Sequence, residues 1–230
     1  MTRCELAIDT AGPDLALALV PADGDAALAE RGWRLTTTVS EELLAALDAL
    51  LRGAGVARDA IRAIAVNVGP GGYSGLRSGV ATAQGMALAL DIPLAGVSRL
   101  EVDAYPHLRT RPPGTPVVAV HDAGRAGVAW AAYALPMAGA APEVLAGPRI
   151  DAPADAVAAA PAGALWCGEL TAALRAALDA AADRELTSDD TVHRAAVDLV
   201  RLARLHAAYG DPALVDVVYL RPPSITKPKR

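Results

Sequence analysis

Phenylalanine is absent from this 230-residue sequence, and with three tryptophans and five tyrosines the aromatic share is only 3%. A core built from this chain must draw its bulk from aliphatic side chains. Those are thinner than the 53% hydrophobic content suggests, because 54 residues are alanine. The remainder still suffices for a packed interior, and a charged share of 20% is too low for a disordered acidic tract. The length fits one large domain or two modest ones. Cysteine occurs only as Cys4 and Cys167, each in an apolar run and with no Cys-x-x-Cys pair. This reads as two buried thiols in a reducing compartment, not a disulfide framework or a zinc ribbon. Lysine occurs only at Lys227 and Lys229. With 21 basic against 26 acidic residues the net charge is −5, so a broad basic surface for a nucleic acid is missing and any RNA is expected to be held by another chain. Long apolar runs are lacking too. The longest uncharged stretch, Ala126 to Pro142, has 17 residues interrupted by Pro136, short of the roughly 20 that span a bilayer. Glu5 and Asp9 break the apolar core that a signal peptide would need, so the expected location is cytoplasmic, with no membrane partner.

What is present is an ordered series of apolar runs and turns. Glu5 to Thr10, Leu15 to Val20 and the more polar Leu28 to Val39 read as an antiparallel meander. Leu43, Leu44, Leu47, Leu50 and Leu51 recur at helical spacing behind Ser40, which can cap, and Glu41 and Glu42, which suit a helix start. Gly53 and Gly55 end that helix. A buried strand at Ile61 to Val68 leads through Gly69-Pro70-Gly71-Gly72-Tyr73-Ser74-Gly75 into a second helix, Leu76 to about Leu90. Pro93 to Val97 reads as a strand, and Ser98-Arg99-Leu100-Glu101 as a capping box whose helix ends before Pro106. Residues 106–116, with four prolines and a glycine, form the expected linker between an N-terminal domain, 1–105, and a C-terminal domain, 117–230. Beyond the linker, Val118 to Gly124 echoes Leu6 to Gly12 at an offset of 112, which suggests two domains on one plan. The rest reads as a loop to Ala160, a strand at Leu165 to Cys167, helices at Leu170 to Ala182 and about Val192 to Tyr209, a last strand at Val215 to Leu220, and a solvated basic tail.

The glycine loop is the most informative motif. Its glycines allow close backbone approach and the helix start offers free N–H groups, a recipe for a phosphate site at Gly71, Gly72 and Ser74; a tight turn that serves packing is an equal reading. A Walker loop is excluded, because Leu76 and Arg77 follow the last glycine where Lys and Ser/Thr are needed. A dinucleotide fingerprint fails at Ser74, and neither Ser74 nor Ser98 sits in a Gly-x-Ser-x-Gly elbow. Asp9 and Thr10 end the first strand, where actin-like and sugar-kinase ATPases hold an acid near metal and phosphate. Alone, Asp9 reads better as a solvated strand-end residue that starts a turn. The four histidines, His107, His121, His193 and His206, form no ligand spacing, and no metal site is expected. His121 and Asp122 are adjacent on a strand and so point to opposite faces.

From Gly69 through Gly79, on through Ala83-Gln84-Gly85-Met86-Ala87-Leu88 and to Gly96-Val97-Ser98-Arg99-Leu100, the sequence closely resembles the TsaB (YeaZ) family. Leu6 to Thr10, Asp122-Ala123 with Trp130 to Tyr133, and Val218 to Arg221 agree in order, so the resemblance spans nearly the whole chain. It implies an α/β fold of the two-domain actin-like ATPase (ASKHA, ribonuclease H-like) architecture, with mixed sheets flanked by helices. It also implies a role in forming threonylcarbamoyladenosine beside the tRNA anticodon. A TsaB-like subunit is not an enzyme on its own: it binds a TsaD-like catalytic paralogue, which carries a His-x-x-x-His metal pair absent here, and a TsaE-like ATPase completes the complex. By that resemblance no cofactor is held firmly by this chain, ATP and Mg serve the complex, and tRNA is met only through it. Two departures stand out: Val39 occupies the place of a family histidine before the first helix, and Gly124 displaces the family arginine to Arg125.

The helices flanking the loop are the expected partner surface, for the paralogue or for a second copy in an isologous homodimer. Gly79, Ala83 and Ala87 on one side of the second helix, and Ser78, Thr82 and Gly85 on another, would let a neighbouring helix approach closely. Leu43, Leu47, Leu76, Arg77, Val80, Ala81, Gln84 and Leu88 are the interface candidates; the Leu43/Leu47/Leu50 stripe reads in part as core, which leaves the six on the second helix as the better ones. The alternative function is an active small-molecule kinase or ATPase of the same architecture, with Asp9 near the metal and the Gly71 and Gly72 amides on phosphate. Against it, Asp9-Thr10-Ala11 lacks the early glycine of such phosphate loops. A peptidase lacks a nucleophile with a partner base.

Overall fold

A computed structural model describes residues 2–181, 184–187 and 194–220. The first sheet contains β1 (Cys4–Asp9), β2 (Asp14–Pro21), β3 (Ala29–Arg34), β4 (Ile61–Gly69) and β5 (Leu94–Ser98), in the order β3-β2-β1-β4-β5. The expected meander is present, since β1 pairs antiparallel with β2 and β2 with β3, while β1–β4 and β4–β5 are parallel. The second sheet contains β6 (Val117–Asp122), β7 (Val128–Ala134), β8 (Glu143–Asp151), β9 (Leu165–Gly168) and β10 (Glu185–Leu186), in the order β10-β9-β6-β7-β8. Its pairings repeat the first sheet strand for strand: β6–β7 and β7–β8 antiparallel, β6–β9 and β9–β10 parallel. The duplicated plan is present at the offset of the echo: Leu6 and Ile8 lie on the main core face of the first sheet as Val118 and Val120 do on that of the second, and 118 − 6 = 112. Every residue of β1 is buried, so its two faces differ by large against small side chains and not by apolar against polar ones.

The helices are α1 (Val39–Ala54), α2 (Tyr73–Leu90), α3 (Arg99–Leu108), α4 (Pro153–Ala159), α5 (Ala172–Asp179) and α6 (Val197–Leu205). The two faces of the first sheet are dressed differently. Leu6, Ile8, Leu17, Leu19, Ile64 and Val66 point to α1 and α2, whereas Ala7, Ala18, Ala65 and Ala95 point to α6. The alanines make a shallow face on which α6 can lie close, so the excess of alanine does structural work without a deep core. On the second sheet Trp130 and Trp166 fill the side covered by α4 and α5, and α3 covers the other through Leu100, Ala104 and Leu108. Helix α3 also sends Val102 and Tyr105 to the α6 core, and so joins the two halves. The two sheets fall on either side of the expected 106–116 linker, but α6, which follows the second sheet in sequence, packs back on the first.

Several local expectations need correction. The stretch to Ala160 is not a loop; it holds β8 and α4. Strand β8 is an edge strand with most residues exposed, so it lacks the apolar signature of its neighbours. Helix α3 continues past Pro106 to Leu108, because burial of Tyr105 and Leu108 offsets the one missing N–H. Ser98 precedes α3 without a side-chain cap, and Glu101 turns to His206 at 2.5 Å. Helix α1 is preceded by Thr38 rather than Ser40, whose hydroxyl lies 3.2 Å from that of Ser78 on α2. Residues 215–220 form no strand. Val215 and Val217 sink into the first core, and the Gln84 amide takes the carbonyl of Val215 at 2.7 Å. Helix α5 is shorter than expected, and Ala182, Val192, His193 and the tail from Arg221 lie outside the described residues.

Candidate functional site

Thr10 and Ala11, just past β1, run against the start of α2, and that approach explains the glycines. A Cβ on Gly71 would sit 2.2 Å from the Ala11 carbonyl oxygen, one on Gly75 2.6 Å from that of Thr10, and one on Gly79 2.0 Å from Thr10 Oγ1. The contact is fastened by hydrogen bonds: Thr10 Oγ1 donates to the Gly75 carbonyl at 2.9 Å, and the Gly72 amide donates to the Ala11 carbonyl at 3.2 Å. Of the two readings of the loop, packing accounts for Gly71, Gly75 and Gly79. Gly72 has open space beside it and, with Ser74 and the starts of α1 and α2, borders a cavity of about 560 Å³ between the two sheets.

Arg99, His121 and Glu169 line that cavity and belong to a chain of charges that crosses the molecule. Asp9, 1% exposed, accepts the Ala11 amide at Oδ1 (2.9 Å); its Oδ2 accepts Asn67 Nδ2 (3.2 Å) and Arg194 Nε (2.6 Å). Arg194 also faces Asp103 at 3.6 Å, and Asp103 faces Arg99 at 3.5 Å, distances that pair the charges without forming hydrogen bonds. Arg99 then pairs with Glu169, whose other oxygen lies 2.8 Å from His121 Nδ1 and accepts the Asp122 amide at 3.0 Å. The chain thus runs from β1 and β4 through α3 to β6 and the turn after β9. Burial pushes the Asp103 carboxyl upward, against the pull of Arg194 and Arg99. For Glu169 burial works the same way, but His121, Arg99 and the Asp122 amide outweigh it and hold the carboxyl below its ordinary range. Arg194 is held above its ordinary value despite burial, by Asp9 and Asp103.

Sequence reasoning found Asp9, Thr10 and the loop but not Asn67, Asp103, Glu169 or Arg194 as their partners. A signal existed in part: Asn67 interrupts an otherwise apolar strand and is fully buried. Among the described residues no group of three His, Cys, Asp or Glu side chains could hold a metal ion. Of the two family departures, Val39 packs in the first core and Arg125 is exposed.

The eight interface candidates divide. Leu43, Leu47, Leu76 and Val80 are core residues. Gln84 is half-buried and holds the carbonyls of Pro212 (3.1 Å) and Val215, and Arg77 donates to Tyr219 Oη at 3.0 Å. Ala81 and Leu88 are exposed and free of such ties. Leu44 and Leu88 stand 57% and 63% exposed, and a groove of about 420 Å³ runs between α1 and α2 beside Leu44, Leu47, Met86 and Leu90. No helix among the described residues is long and apolar enough to cross a membrane.

A family model described as "TsaD: tRNA N6-adenosine threonylcarbamoyltransferase" matches residues 36–195. The tRNA threonylcarbamoyladenosine biosynthesis protein TsaB of Bacillus subtilis is 38% identical over 96 residues, 42% of this chain and 41% of that protein. The Escherichia coli protein of the same description is 35% identical over 94 residues, 41% of this chain and 40% of its own length. An uncharacterized protein of Mycobacterium tuberculosis is 35% identical over 157 residues, 68% of this chain and 72% of that protein. Among solved structures, YeaZ from Pseudomonas aeruginosa superposes with a TM-score of 0.77 at 26% identity, covering 95% of this chain and all of that one.

Proposed function

Since the chain belongs to the TsaB (YeaZ) family and has its actin-like fold, we propose that it is an accessory, non-catalytic subunit in threonylcarbamoyladenosine synthesis on tRNA. In this reading it binds a TsaD-like catalytic paralogue in the cytoplasm, a TsaE-like ATPase joins them, ATP and Mg are used by the complex, and tRNA is met there. The observation that carries the accessory role is the state of Asp9. Both its oxygens are engaged by Ala11, Asn67 and Arg194, and the side chain is buried, so an Mg-bound phosphate would have to displace an arginine. The Gly71 and Gly75 positions are filled by the backbone of Thr10 and Ala11. These residues do not fit a nucleotide held firmly by this chain, which also argues against the kinase reading.

The partner surface in this reading is the open face of α1 and α2. Ala81 and Gly85 leave room for a crossing helix beside the exposed Leu88, and the exposed Leu44 lines a groove between the two helices able to take a side chain. A second copy could use the same face as an isologous dimer. Capture of the TsaD-like paralogue by the purified chain, compared with the Ala81→Arg/Leu88→Arg variant, tests the reading. Equal capture by both would sink this surface, and turnover of Mg-ATP by the chain alone would sink the accessory role.

A further inference from the structure

Of the ten large apolar side chains exposed among the described residues, six lie on α1, on α2 or on the segment 212–219 that runs beside α2: Leu44, Tyr73, Leu88, Leu214, Val218 and Tyr219. That segment is pinned, because Gln84 holds the carbonyls of Pro212 and Val215 and the Val218 amide donates to the Val68 carbonyl at 2.8 Å. At its end Tyr219 stacks on Tyr73, with ring centroids 5.5 Å apart and planes inclined by 22°. One turn further along α2, the Arg77 guanidinium lies over the Tyr73 ring, 5.0 Å from its centroid, and donates from Nε to Tyr219 Oη. Arg77 itself is exposed. Among the described residues its two Nη groups make no hydrogen bond and no carboxylate pairs with it; Asp216 acts on it only from a distance.

We propose that Tyr73, Arg77 and Tyr219 form a preassembled anchor for a carboxylate side chain of a protein partner, the TsaD-like paralogue. The inference rests on the accessory reading and adds to its partner face a second anchor, about 16 Å from Leu88 along α2. A guanidinium whose Nε is spent on a phenol still offers both Nη groups, the fork that takes a carboxylate through two hydrogen bonds. Ring and hydroxyl hold it in place before the partner arrives, so little side-chain freedom is lost on binding. Tyrosine and arginine, with tryptophan, are also the side chains that most often dominate binding energy. The charge pattern selects the occupant. A second copy of this chain brings no free acid on these helices: α2 has none, Glu41 accepts from the Thr38 hydroxyl, Glu42 takes Trp33, Thr36 and Thr37, and Asp48 pairs with Arg52 and Arg58. RNA would find Arg77 beside the acid Asp216 on a chain of net charge −5, and would leave the neighbouring Ala81, Gly85 and Leu88 uncovered.

The test is calorimetric titration of the full chain with the TsaD-like paralogue, with melting temperatures as the control for folding. Arg77→Ala should weaken binding about tenfold or more, and Arg77→Lys, which keeps the charge without the fork, about fivefold or more. Tyr219→Phe, which keeps the stack but releases Arg77 Nε, should cost about two- to fivefold. Arg77→Glu should weaken binding further, and one Asp→Lys or Glu→Lys substitution in the paralogue should recover about tenfold of that loss. Arg77 variants that bind within about twofold of the unmodified chain, while Ala81→Arg/Leu88→Arg loses affinity, would overturn the anchor and leave the accessory reading standing. So would Arg77→Glu with no rescuing substitution among the paralogue's acids. A loss confined to self-association, or to binding of a single-stranded RNA, at unchanged affinity for the paralogue would overturn it as well. No complex with the unmodified chain would overturn both.

Discussion

Arg194 donates its Nε to Asp9 Oδ2 at 2.6 Å, joining residues 185 positions apart in the sequence. The bond closes the end of β1 with a side chain from the turn before α6, and it brings Arg194 within ion-pair range of Asp103. Breaking a buried pair from one side leaves an uncompensated charge, which costs about 3–5 kcal/mol. Arg194→Ala should therefore lower urea stability by about that amount. Asp9→Ala in the Arg194→Ala background should cost much less than Asp9→Ala alone. A double-mutant cycle reads the coupling directly, and additive losses would show that the pair is not a unit.

Gly79→Ala places a methyl group 2.0 Å from Thr10 Oγ1, an atom already tied to the Gly75 carbonyl. Overpacking of this kind costs about 1–3 kcal/mol, so the melting temperature should fall by several degrees. Gly85→Ala, on the same helix with open space around it, should instead raise stability by about 0.5–1 kcal/mol. Thermal melts of the two variants should move in opposite directions.

Glu169 gives the chain a predictable acid limb. Its folded-state carboxyl is held below the ordinary range, so as pH falls through about 4.5 the unfolded chain takes up a proton that the folded chain refuses. The stabilisation is complete above that pH and is lost as pH falls. Asp103, pushed upward by burial, contributes the opposite slope, which makes the difference between variants the useful quantity. The stability gap between the unmodified chain and Glu169→Gln should be widest near neutral pH and narrow toward about pH 3. A gap independent of pH would contradict it.

Much of the fold was legible because its elements carry local signals: the meander, the leucine stripe of α1 and the glycine loop all survive in the structure. The site was legible only in part. Asp9 and Gly71 stand out singly, but their partners Arg194, Asp103 and Ala11 are joined by tertiary approach, which no local spacing encodes. Strand β8 was missed because an exposed edge strand needs no apolar alternation. The interface candidates mixed core with surface for a related reason. Leu43 and Leu44 are neighbours in sequence, yet one is 1% and the other 57% exposed, and only the packed helix separates them.

The most direct measurement is calorimetric titration of the purified chain with its TsaD-like paralogue, repeated with Ala81→Arg/Leu88→Arg. The account predicts a stoichiometric complex with the unmodified chain. It also predicts at least a tenfold loss of affinity, about 1.4 kcal/mol, in the variant at unchanged melting temperature. No complex with the unmodified chain, or equal affinity for the variant, would contradict it.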